Sequence, residues 1–202
     1  MKTLFVIFIF LIQFSLVTLA QEKMMNSQTK EIIAEDKSLD EFISALKYRK
    51  DSIMQESLKK PYPDFIAMPL DGNVITEKDL FGKVTIINFW FSSCPPCIAE
   101  FDALGNLYEK WKDNLEFQFI SFCTDPVEQA KESAQKHQLP YPVCPIEGEQ
   151  FSTLLLWGFP VNLIVNREGK IIHYKSGGHT EKEKVDKEIQ DIEQKIKNEL
   201  NK

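Results

Sequence analysis

The sequence predicts an α/β domain built on a mixed sheet, and three observations predict it. Apolar, strand-like runs alternate with segments of helical spacing, the pattern of an α/β chain. Two runs, Val84 to Phe91 and Phe117 to Cys123, are continuously apolar, as in strands covered on both faces. Near the end, Val161 to Val165 and Lys170 to Lys175 flank Asn166-Arg167-Glu168-Gly169, an antiparallel hairpin with a Gly-containing turn.

The elements follow in order. Met1-Lys2, an apolar stretch from Leu4 to Leu19 and a small residue at Ala20 have the layout of a secretory signal peptide cleaved after Ala20. The alternative is a retained N-terminal anchor, against which Gln13, Ser15 and Thr18 interrupt a run shorter than a span of ~20 residues. Both readings export the chain. Residues 21–60 form a helical extension, with Ile32, Leu39, Leu46 and Ile53 at a spacing of seven and Phe42 and Ile43 widening the stripe. This stripe is expected to lie on the domain. Pro61-Tyr62-Pro63 breaks the helix, and the folded domain is expected over residues 61–202.

Two short strands around Asp71-Gly72-Asn73 come next, then a turn at Phe81-Gly82-Lys83 and the first buried strand. Ile98, Phe101, Leu104, Tyr108 and Trp111 mark a helix. After the second buried strand, a helix opens with Pro126 in its first turn, and Tyr141 to Ile146 carries prolines that suit only an edge strand. A short helix over 149–157 precedes the hairpin. A charged helix from Thr180, with Val185, Ile189, Ile192 and Ile196 in one stripe, caps the fold.

Composition narrows the function. The chain has 202 residues, 43% of them hydrophobic with 15 Phe and 3 Trp, enough for a core without disulfide staples. A formal net charge of −6 argues against nucleic-acid binding by counterion release. Four cysteines are too few for a disulfide scaffold, so each needs its own account.

Cys94 and Cys97 fall where a central strand ends and a helix begins. Zinc would need two further ligands at matching spacing, and His137, His173 and His179 are scattered, so no metal site is expected. A purely structural bridge over so small a loop removes little unfolded-state entropy. Redox exchange has a positive mechanism. The helix N-terminus stabilises the Cys94 thiolate as nucleophile, and Cys97, one turn on, resolves the mixed disulfide. Pro95 and Pro96 donate no N–H to that sulfur, which argues against an extremely acidic thiol. Glu100 shares the helical face. It either tunes the thiols and moves their protons, or is a solvated first-turn acid favoured by the dipole.

Asp64-Phe65, Asp71-Gly72, Gly82-Lys83, Asn88-Phe89-Trp90, Cys94-Pro95-Pro96-Cys97 with Glu100, Gly158-Phe159-Pro160 and Gly169-Lys170 occur in order. Over residues 62–177 this combination resembles the TlpA/ResA-type branch of the thioredoxin-like superfamily. The resemblance implies a thioredoxin-like fold with an N-terminal β-hairpin and a helix–strand insert over about residues 124–146. It implies an exported or membrane-tethered thiol-disulfide oxidoreductase without a cofactor, usually a reductant. Its partners would be disulfide-bearing exported proteins, for example in cytochrome c maturation, and a membrane thiol electron donor. A periplasmic or cell-envelope location and a monomer are expected.

By the same resemblance Cys94 is the nucleophile, Cys97 the resolving thiol and Glu100 a buried acid. Pro160 is the cis-proline against the disulfide, and Trp90 is the aromatic beside the motif. Asn88 stands where thioredoxin has a buried Asp. Phe159 and Val161, flanking Pro160, are expected at the substrate strand, and both depart from the residues usual in the family. Cys123 and Cys144 are either free and buried or a second disulfide. A disulfide-forming oxidase or isomerase would use the same residues at another potential. A thiol peroxidase would need Thr or Ser where Phe91 stands.

Overall fold

The structure is a computed structural model, and it describes residues 38–146 and 158–202. The expected leader over residues 1–20 and the helix expected over 149–157 lie outside the described residues. The chain divides into two compact units, Met1–Asp51 and Ser52–Lys202. The first helix, α1, covers residues 38–57. Leu39, Phe42, Ile43 and Leu46 of the expected stripe lie on this helix within the first unit. All four precede Ser52, where the larger unit begins.

That unit starts ahead of the Pro61 break. Met54 and Leu58 pack against its core. Lys59 N–H donates to the Ile171 carbonyl at 2.7 Å, and Ile171 N–H donates to the Lys60 carbonyl at 2.9 Å. Strands β1 (Ile66–Ala67) and β2 (Ile75–Thr76) form the antiparallel hairpin. A 3-10 turn over Glu77–Leu80 follows, its start closed by Thr76 N–H donating to Asp79 Oδ2 at 2.8 Å. Gly82, at φ +79°, then reverses the chain in a backbone region that disfavours other residues.

The central sheet runs β5-β4-β3-β6-β7. It comprises β3 (Val84–Trp90), β4 (Phe117–Cys123), β5 (Val143–Pro145), β6 (Val161–Val165) and β7 (Ile171–Ser176). β3 pairs parallel with β4 and antiparallel with β6, so the sheet is mixed as expected. All seven β3 residues are buried, because alternate side chains feed two cores. Ile86 and Trp90 face the cluster containing Phe101 and Leu104 of α2 (Pro95–Trp111) and Ile189, Ile192 and Ile196 of α4 (Lys182–Leu200). Ile87 and Phe89 face the cluster with Tyr62 and Phe65, in which Phe89 stacks on Phe122 at 4.9 Å.

The insert supplies α3 (Val127–Lys136) and the proline-bearing β5, which takes the sheet edge as its prolines require. Pro126 is the N-cap of α3 rather than a residue of its first turn, its extended ψ of 149° falling outside the helix. Among the described residues no helix is long and apolar enough to cross a membrane.

Candidate active site

β3 ends at Trp90 and α2 begins at Pro95, so the four residues between them turn a buried strand into a helix. Asp125, in the loop after β4, secures this turn by accepting Ser92 N–H at 2.6 Å. Gln129 Nε2 donates to Ser92 Oγ at 2.6 Å. Cys94 is the N-cap, in extended conformation at φ −91° and ψ 105°. Its Sγ accepts the Cys97 N–H at 3.3 Å, and its carbonyl accepts the Ile98 N–H at 3.0 Å. Pro95 and Pro96 fill the first two helical positions and bring no donor to the sulfur. Cys94 and Cys97 are joined as a disulfide with Cα atoms 5.2 Å apart. Cys94 is only 3% exposed and Cys97 is fully buried, the order the sequence predicts but with Cys94 less accessible than expected.

Glu100 lies one turn after Cys97 and is 3% exposed, so it is no solvated first-turn acid. Asn88 Nδ2 donates to its Oε1 at 2.9 Å. Asn162 Nδ2 donates to Oε1 at 3.3 Å and Oε2 at 3.1 Å. Asn88 also donates to Asn162 Oδ1 at 2.9 Å, and Trp90 Nε1 donates to Ser121 Oγ at 2.7 Å beside it. Donors of this kind favour the carboxylate, but burial opposes it more strongly. Burial pushes the Glu100 carboxyl up to about 8, with the amides of Asn162 and Asn88 pulling down and Glu188 adding a smaller upward push. A carboxyl held there has nearly the proton affinity of an ordinary thiol.

The Phe159–Pro160 peptide is cis. Gly177 N–H donates to the Pro160 carbonyl at 2.8 Å. A Cβ on Gly178 would come within 2.9 Å of Pro160 Cγ and 3.5 Å of Pro96 Cβ. The backbone of Gly178 therefore lies against both the cis-proline and the disulfide turn, and a Cβ there would force that contact to shift. Phe159 packs edge-on against Phe91 at 5.1 Å, giving this side an aromatic pair. A disulfide at a helix N-terminus, a buried acid and a cis-proline turn together form the candidate dithiol-exchange site.

Comparison with known proteins agrees. Residues 58–174 match the AhpC/TSA family. The chain is 30% identical over 135 residues to a thiol-disulfide oxidoreductase ResA of Bacillus cereus, covering 66% of this chain and 77% of that one. Its fold resembles that of a candidate protein disulfide isomerase from Bacteroides thetaiotaomicron. The TM-score is 0.64 at 27% identity, over 72% of this chain and 91% of that chain. A candidate thiol:disulfide interchange protein DsbE from Chlorobium tepidum shares the fold at TM-score 0.62 and 23% identity, over 71% of this chain and 97% of that one. The chain belongs to the AhpC/TSA family, as a ResA-type thiol-disulfide oxidoreductase of the thioredoxin-like superfamily.

Within this ResA-type site, the side chains of Trp90 and Val161 are both buried. Trp90 is buried, its ring edge-on to Phe101 at 5.0 Å and its N–H held by Ser121. Val161 is buried in register between Phe89 and Ser176, on the face away from α2. Trp90 shares its core cluster with Cys94 and Cys97, and Val161 directly follows the cis-proline. The second disulfide is absent, and Cys123 and Cys144 are both free and buried. The register explains why. Cys144 pairs with Phe122 and Cys123 with Pro145, so the two thiols point to opposite faces of the sheet. Burial pushes each thiol up to about 12, leaving both protonated at neutral pH.

Asn162, Ser121, Asp125 and Gly178 were not legible as site residues. For Asn162 a signal existed: Val161-Asn162-Leu163-Ile164-Val165, like Val84 to Phe91 with Asn88, carries one amide in an otherwise apolar run. A buried amide requires partners, and two such strands side by side supply them to each other.

Proposed function

We propose that the protein is exported to the cell envelope and there reduces disulfides of other exported proteins, in a process such as cytochrome c maturation, with re-reduction by a membrane thiol donor. The observation that carries the direction is the proline pair at the start of α2. Among the described residues only one backbone N–H, that of Cys97, reaches Cys94 Sγ, so the thiolate receives little of the stabilisation that makes strong oxidants. The leader-like N-terminus supports export, and the ResA relative supports the envelope setting.

In the reducing direction, the Cys94 thiolate attacks one sulfur of the substrate disulfide and expels the other as a thiolate. The Cys97 thiol gives its proton to Glu100 and attacks Cys94 Sγ. The Cys94–substrate bond breaks, the second substrate sulfur leaves, and the Cys94–Cys97 disulfide forms. The two electrons pass to the substrate, and the proton held by Glu100 returns to a leaving sulfur. The test is the redox state of the pair in its own cells, by acid quench and thiol alkylation. Cys94 and Cys97 are expected mainly reduced, with the envelope fraction holding the protein. A mainly oxidised pair would overturn the reductase reading and make the protein a disulfide donor.

A further inference from the structure

The buried acid does not stand alone. Ser121, Asn88, Asn162 and Lys175 lie directly opposite one another on β4, β3, β6 and β7, so one polar row crosses four strands of the sheet. All four point to the face carrying α2 and α4. Glu100 sits over the middle of the row, held by both amides. At the outer end Lys175 Nζ pairs with Glu188 Oε2 of α4 at 2.8 Å, the lysine side chain 38% exposed and the glutamate 12%. Glu188 Oε1 is buried without a hydrogen-bond partner. A half-satisfied carboxylate in that position must bear on any titratable group near it, because charges interact strongly where water is excluded.

We propose that Glu188 and Lys175 set the charge state of Glu100, acting as positioning residues for the proton of the dithiol site. The use of that proton rests on the exchange function proposed above. Glu188 penalises a second negative charge on Glu100, and Lys175 offsets Glu188 and favours that charge. Two further titratable groups near the row, Tyr141 and His173, carry no charge near neutral pH. The Tyr141 hydroxyl, which feels Glu100 and Asp102, is buried and held well above its ordinary range. His173, beside Lys175 on β7 and facing Lys195 and Asp191 of α4, is pushed down to about 4 by burial and its lysine neighbours. The Lys175–Glu188 pair is thus the adjustable part of the field at Glu100.

The experiment follows the Glu100 carboxyl directly, by 13C NMR of the protein labelled at glutamate side chains, with Glu100→Gln identifying the resonance. Glu188→Gln is expected to move the titration midpoint down by about one pH unit, a tenfold change in proton affinity. Lys175→Gln is expected to move it up, and the double variant to return it towards the unsubstituted protein. A midpoint unmoved by either substitution, or moved the other way by Glu188→Gln, would overturn the proposal. This readout is separate from turnover. Shifted midpoints with an unshifted exchange profile would keep the coupling and remove Glu100 from the exchange step.

Discussion

In the proposed exchange the chemistry turns on Glu100, and its environment pulls it both ways. Three amide hydrogen bonds favour the carboxylate, and burial against the α2–α4 core favours the acid. Burial wins. As a general base it must be ionised, so attack by Cys97 on the mixed disulfide should accelerate as pH rises through about 8. Glu100→Gln should remove that inflection and slow resolution by about 10²-fold, read by stopped-flow release of a substrate peptide. The same raised value makes a stability prediction. The folded protein holds the Glu100 proton up to about pH 8, whereas the unfolded chain releases it near the ordinary glutamate value. Folding stability from this group is therefore full below the ordinary value and declines as pH rises to about 8. Urea unfolding should show Glu100→Gln abolishing that part of the pH dependence.

At the scale of elements, the start of α2 sets the sulfur chemistry, and the Gly177–Gly178 turn holds the cis-proline beside it. Replacing Pro96 by Ala restores a backbone N–H at the second helical position while keeping the Cβ that lies near Gly178. The Cys94 thiol should become more acidic by somewhat less than about one unit, measured by thiolate absorbance against pH, and the pair more oxidising. Gly178→Ala drives a Cβ to within 2.9 Å of Pro160. Overpacking of this kind costs about 1–3 kcal/mol, so the variant should unfold at lower denaturant and exchange more slowly as the turn shifts off the disulfide. A variant with unchanged exchange would mean that the turn does not position the cis-proline.

For the molecule as a whole, the sequence carried most of the fold and half of the site. β3 and β4 were legible because a strand buried on both faces is apolar throughout, and α2 and α4 because their stripes repeat at helical spacing. Cys94, Cys97, Glu100 and Pro160 were legible as a motif. Facing was not. Cys123 and Cys144 fall on opposite sides of the sheet through a register that only the paired strands define, and the same register buries Trp90 and Val161. The polar row was hidden for the same reason, since Asn88 and Asn162 meet across 74 positions of sequence. What the assembled molecule presents is a poorly activated nucleophile, a resolving thiol and a poised buried acid. The proposed direction, giving electrons rather than taking them, rests on that combination.

The most direct test is the reduction potential of the Cys94–Cys97 pair, from equilibration of the purified protein with defined thiol buffers and trapping of free thiols. A value more reducing than about −220 mV is predicted. A value near about −120 mV would contradict the account and place the protein among the oxidants.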